Sequence, residues 1–221
     1  MTKPPKVVKG YTIEPGRNLQ EANLGGAELF GVDLTGVDLQ RADLRGAYLC
    51  GATLIGANLS QANLQAADLS GAVCYCAMMI GANLTGADLR IAQLYDANLS
   101  EALMAGAYLV ETQLTHAVLW GAYLNQANLT RALMAKSNLY NADLTWANLT
   151  SATLSSAYLD RADLEGANLT GANLKEASFS WVHLKGADLT GANLTGAYCQ
   201  GTDLEAANLE RAVMPDGSIH N

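Results

Sequence analysis

A β-solenoid that turns a corner every five residues is the fold class this chain predicts, and two periodic features predict it. Leucine or a close apolar substitute occupies every fifth position from Leu19 to Met214 without insertion or deletion: forty positions, thirty-three of them Leu. Ala stands two residues before that position in thirty-three of the forty repeats. On an α-helix a five-residue step turns the side chain by roughly 140°, which scatters the leucines around the axis. On a flat strand odd steps alternate faces, which sends half of them to water. A chain that bends once per repeat returns each Leu to the same inward environment. Wound continuously, it is a solenoid filled by Leu and Ala.

Three segments follow in order. Residues 1–16 precede the repeats and read as an N-terminal cap, because the ends of a β-solenoid are open sheet edges that proline and lysine blunt. Residues 17–214 form the array. Seventeen of the twenty-one glycines fall two residues after the central position, where a corner requires a residue tolerant of positive φ. All four prolines, Pro4, Pro5, Pro15 and Pro215, lie outside the array, as expected if backbone N–H groups within it donate from coil to coil. Residues 215–221 form a short tail. The seven central positions that are not Leu (Cys74, Met79, Met104, Met134, Phe179, Cys199 and Met214) are all apolar.

Composition narrows the function. The 221 residues carry a net charge of −8, and no basic cluster exists to hold phosphates, so direct nucleic-acid binding is not expected. No apolar run approaches the roughly 18 residues of a membrane span, and the basic N-terminus has no hydrophobic stretch of a secretory signal; a soluble, cytoplasmic protein is expected. Cys50, Cys74, Cys76 and Cys199 form no C-x-x-C pair, and Cys74 and Cys199 replace inward leucines, so buried thiols are expected and a disulfide framework is not. His116, His183 and His220 occupy unrelated positions and assemble no catalytic constellation. No phosphate-binding or metalloprotease motif is present. A filled core leaves no substrate pocket, so no enzyme, metal or cofactor is expected.

The repeat units themselves, A-D-L-R-G at 42–46, A-N-L-S-Q at 57–61 and A-N-L-T-G at 167–171, resemble the pentapeptide-repeat proteins over about nine-tenths of the chain. The resemblance implies a right-handed quadrilateral β-helix, all-β, with four pentapeptides per coil and about ten coils. One internal feature agrees with a twenty-residue coil: A-N-L-T at 127–130, 147–150 and 167–170 is followed by A-D-L-T at 187–190. The tail M-P-D-G-S-I-H at 214–220 is similar to that of cyanobacterial members.

With twenty residues per coil, every position is assigned to a side. Central residues 24, 44, 64 and onward define the first side; 29, 49, 69 and onward the second; 34, 54, 74 and onward the third; 19, 39, 59 and onward the fourth. Residues flanking each central position point outward. Fourteen acids occupy such places and eleven fall on the first two sides, including Asp43, Asp143, Asp163 and Asp203 in one file and Glu28, Asp68, Asp88 and Asp188 in its neighbour. Stacked carboxylates predict a solvated face with slightly raised pKa values from mutual repulsion. The third side carries Ile55, Tyr75 and Tyr95, and the fourth Met78, Ile80, Val118, Trp120, Tyr140 and Tyr158. These nine residues are the candidate protein-binding face, with Tyr75–Tyr95 and Trp120–Tyr140 expected as stacked pairs across coils about 4.8 Å apart. The alternative for them is an aromatic ladder that supports stacking alone.

The leading functional expectation is a non-enzymatic scaffold or adaptor with a protein partner, in line with cyanobacterial relatives that regulate differentiation through protein contacts. The resemblance also implies an alternative, a DNA mimic that binds DNA gyrase. Those members dimerise through a C-terminal module, whereas seven residues follow Met214. About ten coils span ~48 Å, over which B-DNA carries about 28 charges, well above the net −8 of this chain. Further alternatives are a spacer without a specific partner, and an ice-binding surface built on the file Thr130, Thr150, Thr170 and Thr190.

Overall fold

The computed structural model describes residues 6–221; Lys3, Pro4 and Pro5 of the expected cap lie outside the described residues. Parallel bridges join residues twenty apart along four files, beginning with Asn18↔Asp38, Asn23↔Asp43, Glu28↔Tyr48 and Asp33↔Thr53. The chain is therefore a four-sided β-helix of twenty-residue coils, right-handed as in the family it resembles, with each side contributing one bridge per coil.

One repeat shows why the sequence folds this way. In residues 57–61 the N–H groups of Leu59 and Gln61 donate forward to the carbonyls of Met78 and Ile80, at 2.6 and 2.8 Å, and Asn58 N–H donates back to Val37 at 2.9 Å. Ala57 N–H closes the preceding corner on Leu54, at 3.0 Å. The fifth, Ser60 N–H, donates to Asn58 Oδ1 at 3.1 Å. Every backbone donor of the repeat is thus satisfied. This is why Asn or Asp precedes the central Leu so often. Its side chain arches over that residue and accepts the one N–H that no coil reaches. The same bond recurs at Arg90 on Asp88, Thr145 on Asp143 and Thr195 on Asn193, each 3.0 Å.

The corner residue follows two places after the centre. Thirty-eight of the forty corner residues have positive φ, seventeen of them Gly and twenty-one not; Ala206 and Asp216 are the two exceptions. A left-handed conformation costs a non-glycine residue roughly 1–2 kcal/mol; twenty of the twenty-one are held there by a bond to the next coil, and Arg211 by its bond to His220 of the tail. Ile91, β-branched at φ 62°, is the most strained in kind.

Inward, Leu and Ala stack into one continuous buried core. Thr112 and Ser137 replace inward alanines and remain satisfied, donating to the carbonyls of Leu89 at 2.7 Å and Met134 at 2.8 Å. Among the described residues no buried side-chain nitrogen or oxygen lacks a partner.

Both ends are covered. A hairpin of β1 (Lys6–Val8) and β2 (Tyr11–Ile13) turns at Lys9 and Gly10, both at positive φ, the requirement of a tight two-residue hairpin. Its lysines reach carbonyls of the first coil, which no earlier coil can serve: Lys6 Nζ donates to Glu28 at 2.6 Å and Lys9 Nζ to Gly25. Asn23 N–H donates to the Tyr11 hydroxyl at 3.2 Å. The C-terminal tail also takes part, folding back so that Val213 pairs antiparallel with Ile219 and the N–H groups of Arg211 and Met214 donate to His220 and Ser218.

The ladder lapses once. Three files run unbroken, but His183 and Asp203 form no bridge. Asp203 instead caps a 3-10 turn, Leu204–Ala206, accepting from Glu205 N–H at 3.1 Å. Gly186 then donates to Ala206, one residue beyond its usual partner.

Candidate protein-binding surface

Of the nine predicted surface residues, Ile55, Met78, Ile80, Trp120 and Tyr158 are exposed, while Tyr75, Tyr95, Val118 and Tyr140 are half-buried. Met78, Val118 and Tyr158 stand where most repeats have Asn or Asp. They leave the N–H two residues on without its side-chain acceptor, and so give up local stability for an apolar surface. Tyr75 and Tyr95 do come together, with ring centroids 5.6 Å apart and planes tilted by 54°, and the Tyr75 hydroxyl donates to Gln93 Oε1. Trp120 and Tyr140 form no ring pair; the Tyr140 ring faces Arg161, 6.0 Å from its centroid.

The expected division into apolar and acidic sides is less sharp in the structure. Phe30, Tyr48, Leu103, Tyr108 and Tyr123 are exposed on the first two sides, and Ile91, Trp146 and Trp181 are exposed at corners. Tyr48, Leu103, Tyr108 and Tyr123 again replace the Asn or Asp acceptor, a signal readable in the same modulo-twenty alignment. Phe30 and Tyr48 form the other ring pair among the described residues, 5.4 Å apart and stacked.

Asp33, Asp43, Asp88, Asp160 and Asp188 act as hydrogen-bonded acceptors rather than as mutually repelling charges. Hydrogen bonds from the Arg45 guanidinium at 2.7 and 2.9 Å hold Asp43 below the usual carboxylate range, and Arg90 does the same for Asp88. The Thr35 hydroxyl lowers Asp33 and the Thr190 hydroxyl lowers Asp188. Burial alone would raise Asp160, but donors from Ser178 and Ser180 outweigh it and its pKa falls. The expected upward shift is reversed at these positions because each carboxylate already collects donors that favour its charged form.

The threonine file is similarly committed. Thr130 and Thr150 donate their hydroxyls to Asn128 and Asn148, at 2.7 and 2.6 Å, and Thr170 and Thr190 donate to Asp188 at 3.3 and 2.6 Å. Hydroxyl protons already used within the coil are not free to order a water lattice, which weighs against an ice-binding surface.

Cys74 lies in the core and desolvation pushes its thiol up to about 12, whereas Cys50 and Cys76 are exposed. No cluster of three or more His, Cys, Asp or Glu able to hold a metal occurs among the described residues. No helix among them is long and apolar enough to cross a membrane. Two open surface grooves are present, one of about 520 Å³ beside Cys50, Arg90, Ile91 and Val110, and one of about 450 Å³ where the ladder lapses, between Trp181, His183, Lys185 and Asp203.

The family model for pentapeptide repeats matches in eight copies, at residues 16–46, 42–72, 57–90, 92–131, 112–150, 137–175, 147–186 and 172–211. The chain belongs to the pentapeptide-repeat family. Among solved pentapeptide-repeat proteins it is similar to HetL of the cyanobacterium Nostoc sp. strain PCC 7120, a protein involved in heterocyst differentiation regulation. The two share 36% identity over 93% of this chain and 92% of that one, with a TM-score of 0.58. Two trypsin-treated forms of QnrB1, a plasmid-mediated fluoroquinolone resistance protein, match at 21% and 19% identity with TM-scores of 0.59 and 0.61. They cover 80% and 90% of this chain, and 89% and 87% of their own. At that identity the likeness is one of fold. A comparison with curated protein sequences found no match.

Proposed function

We propose that this pentapeptide-repeat protein is a non-enzymatic scaffold that presents a rigid surface to a protein partner, in the cytoplasm of a cyanobacterium-like host. The observation that carries the proposal is the set of exposed apolar side chains, Ile55, Met78, Ile80, Trp120 and Tyr158, on the third and fourth sides of a rod whose interior is filled. Exposed aromatic and Met groups on a rigid frame are the composition of protein-binding patches. Stacked coils order them in advance, so little side-chain entropy is lost on docking. The 36% identity to HetL over nearly the whole of both chains supports a regulatory setting.

The test is affinity capture from host lysate with wild type and with Met78→Ser/Trp120→Ser/Tyr158→Ser, after both are shown to fold. A protein retained by wild type and lost by the variant supports the reading and locates the face. Equal capture by both overturns this choice of face, and capture by neither favours a spacer. A DNA supercoiling assay separates the gyrase alternative: inhibition or drug protection at micromolar protein would establish it in place of the scaffold.

A further inference from the structure

We infer that the C-terminal half of the first side, from Leu103 to Glu205, is a docking face for a cationic amphipathic protein segment. This face is separate from the one proposed above and does not rest on it.

Three independent local rules are broken along this face. Leu103 and Tyr123, consecutive in one file and 41% and 49% exposed, displace the Asn or Asp that would accept the N–H of Ala105 and Asn125. The two corners bordering the side carry Trp146 and Trp181, bulky residues at φ 59° and 57°, a conformation that disfavours them. The ladder lapses on this side alone, between His183 and Asp203, and opens the 450 Å³ groove next to Trp181. Acceptor loss and non-glycine corners occur on the other sides as well, but no other side joins them to tryptophan at both bordering corners and to a lapsed ladder. Local rules broken without a compensating structural gain are expected at functional positions.

The tryptophans are also fixed in place. The Trp146 indole lies on Gly166 of the next coil and that of Trp181 lies on Gly201, so closely that a Cβ on either glycine would come within 2.5 Å of the ring. Each indole nevertheless remains exposed, 65% and 62%. Pre-positioned, solvent-facing Trp is the residue type that dominates interface energetics.

Charge selects the occupant. Between the tryptophans the outward residues are Asp143, Asp163, Glu165, Asp203 and Glu205 against Lys185, with His183 facing Asp163 at 3.1 Å. Lys185 is itself engaged with Glu165, at 3.4 Å. The excess of carboxylates excludes nucleic acid and anionic membrane and matches Lys or Arg, while Leu103, Tyr123, the indoles and the groove match apolar anchors. Five coils extend about 24 Å, which a helix of about 16 residues spans when laid along the rod. A helix with one apolar and one basic face satisfies both demands at once.

The test uses fluorescence anisotropy with a labelled helical peptide of about 18 residues, composed of Leu and Lys with leucines at i, i+3, i+4 and i+7. A scrambled peptide of the same composition, with no apolar face, is the control. Full-length wild type should bind the patterned peptide at least about tenfold tighter than the scrambled one. Leu103→Ser/Tyr123→Ser and Trp146→Ser/Trp181→Ser should each lose at least about tenfold, while Met78→Ser/Trp120→Ser on the other face binds as wild type. Asp143→Asn/Glu165→Gln should flatten the salt dependence. Equal binding of the scrambled peptide, a measurement that needs no variant, overturns the proposal in favour of charge alone. Loss confined to Met78→Ser/Trp120→Ser, or no binding by wild type on the order of 0.1 mM, overturns it as well.

Discussion

Gly166 and Gly186 occupy successive coils of the same corner, at φ 64° and 69°, and differ in what stands beside them. A Cβ at Gly186 meets nothing within 4 Å, whereas at Gly166 it comes within 2.5 Å of the Trp146 ring. Gly186→Ala therefore tests the corner conformation alone. Ala loses roughly 1–2 kcal/mol there and regains roughly 0.4–1 kcal/mol from a less flexible unfolded chain, a net loss of about 0–1.5 kcal/mol. Gly166→Ala carries the same backbone cost and also lifts the indole. Trp146 is 65% exposed, so about a third of its surface is covered. Releasing roughly 80 Å² at about 25 cal/mol per Å² costs a further ~2 kcal/mol at most. For a chain of this size each kcal/mol shifts Tm by about 2–4 °C, so Gly166→Ala should melt about 2–8 °C below Gly186→Ala. Urea denaturation followed by far-UV circular dichroism gives the energies. In a Trp146→Ala background Gly166→Ala should fall to the cost of Gly186→Ala, a coupling of about 1–2 kcal/mol. Equal costs for the two single variants, or a coupling within the ~0.3 kcal/mol expected of independent sites, would refute the reasoning.

Leu119 is fully buried mid-array, so Leu119→Asp should abolish cooperative folding through an unpaired charge in the core. Thr130→Ser keeps the hydroxyl that donates to Asn128 and should stay within ~0.5 kcal/mol of wild type; similar melting of the two would reverse the inward assignment. Because Asp43, Asp88 and Asp188 have folded pKa values below their unfolded ones, their contribution is present above the unfolded value near ~3.9 and is lost as pH falls through the folded values. Stability should thus be flat near neutrality and decline below about pH 4, with a shallower decline in Asp88→Asn; an unchanged slope in that variant would remove Asp88 from the account. Cys50 and Cys76 should react rapidly with a thiol reagent in the native protein, Cys199 more slowly, and Cys74 only after unfolding, since burial raises its pKa to about 12. Rapid labelling of Cys74 without denaturant would contradict the closed core.

The array was legible in sequence because every pentapeptide solves the same local problem. Leu fills the core, Asn or Asp accepts the stranded N–H, and Gly takes the corner, so the chemical period and the structural period coincide. Features that occur once were not legible. The fold-back of Val213 onto Ile219 and the 3-10 turn after Asp203 have no repeat to betray them, and although proline and lysine marked 1–16 as a cap, the carbonyls that Lys6 and Lys9 reach could not be read. The candidate surface was legible in part. Ile55, Met78, Ile80, Trp120 and Tyr158 follow from counting residues that flank the centre, but Trp146 and Trp181 sit at corners, which that count leaves out. Tyr140 flanks a centre yet is half-buried beneath Arg161, a contact set by side-chain reach rather than by period.

The hydrogen bonding of the coils gives the rod a direction. In each repeat two N–H groups point toward the C-terminal end and one points back, as Leu59 and Gln61 do against Asn58, so one peptide dipole per pentapeptide goes uncancelled. Summed over some forty repeats, these align much as the peptide dipoles of a helix do, but with opposite polarity: the N-terminal end is the acceptor-rich, negative pole. Lys6 and Lys9 sit on that pole, where a cation is favoured as it is at the C-terminus of a helix. The molecule is thus a permanent electric dipole, and its two ends attract opposite charge before any side chain on its four sides is counted.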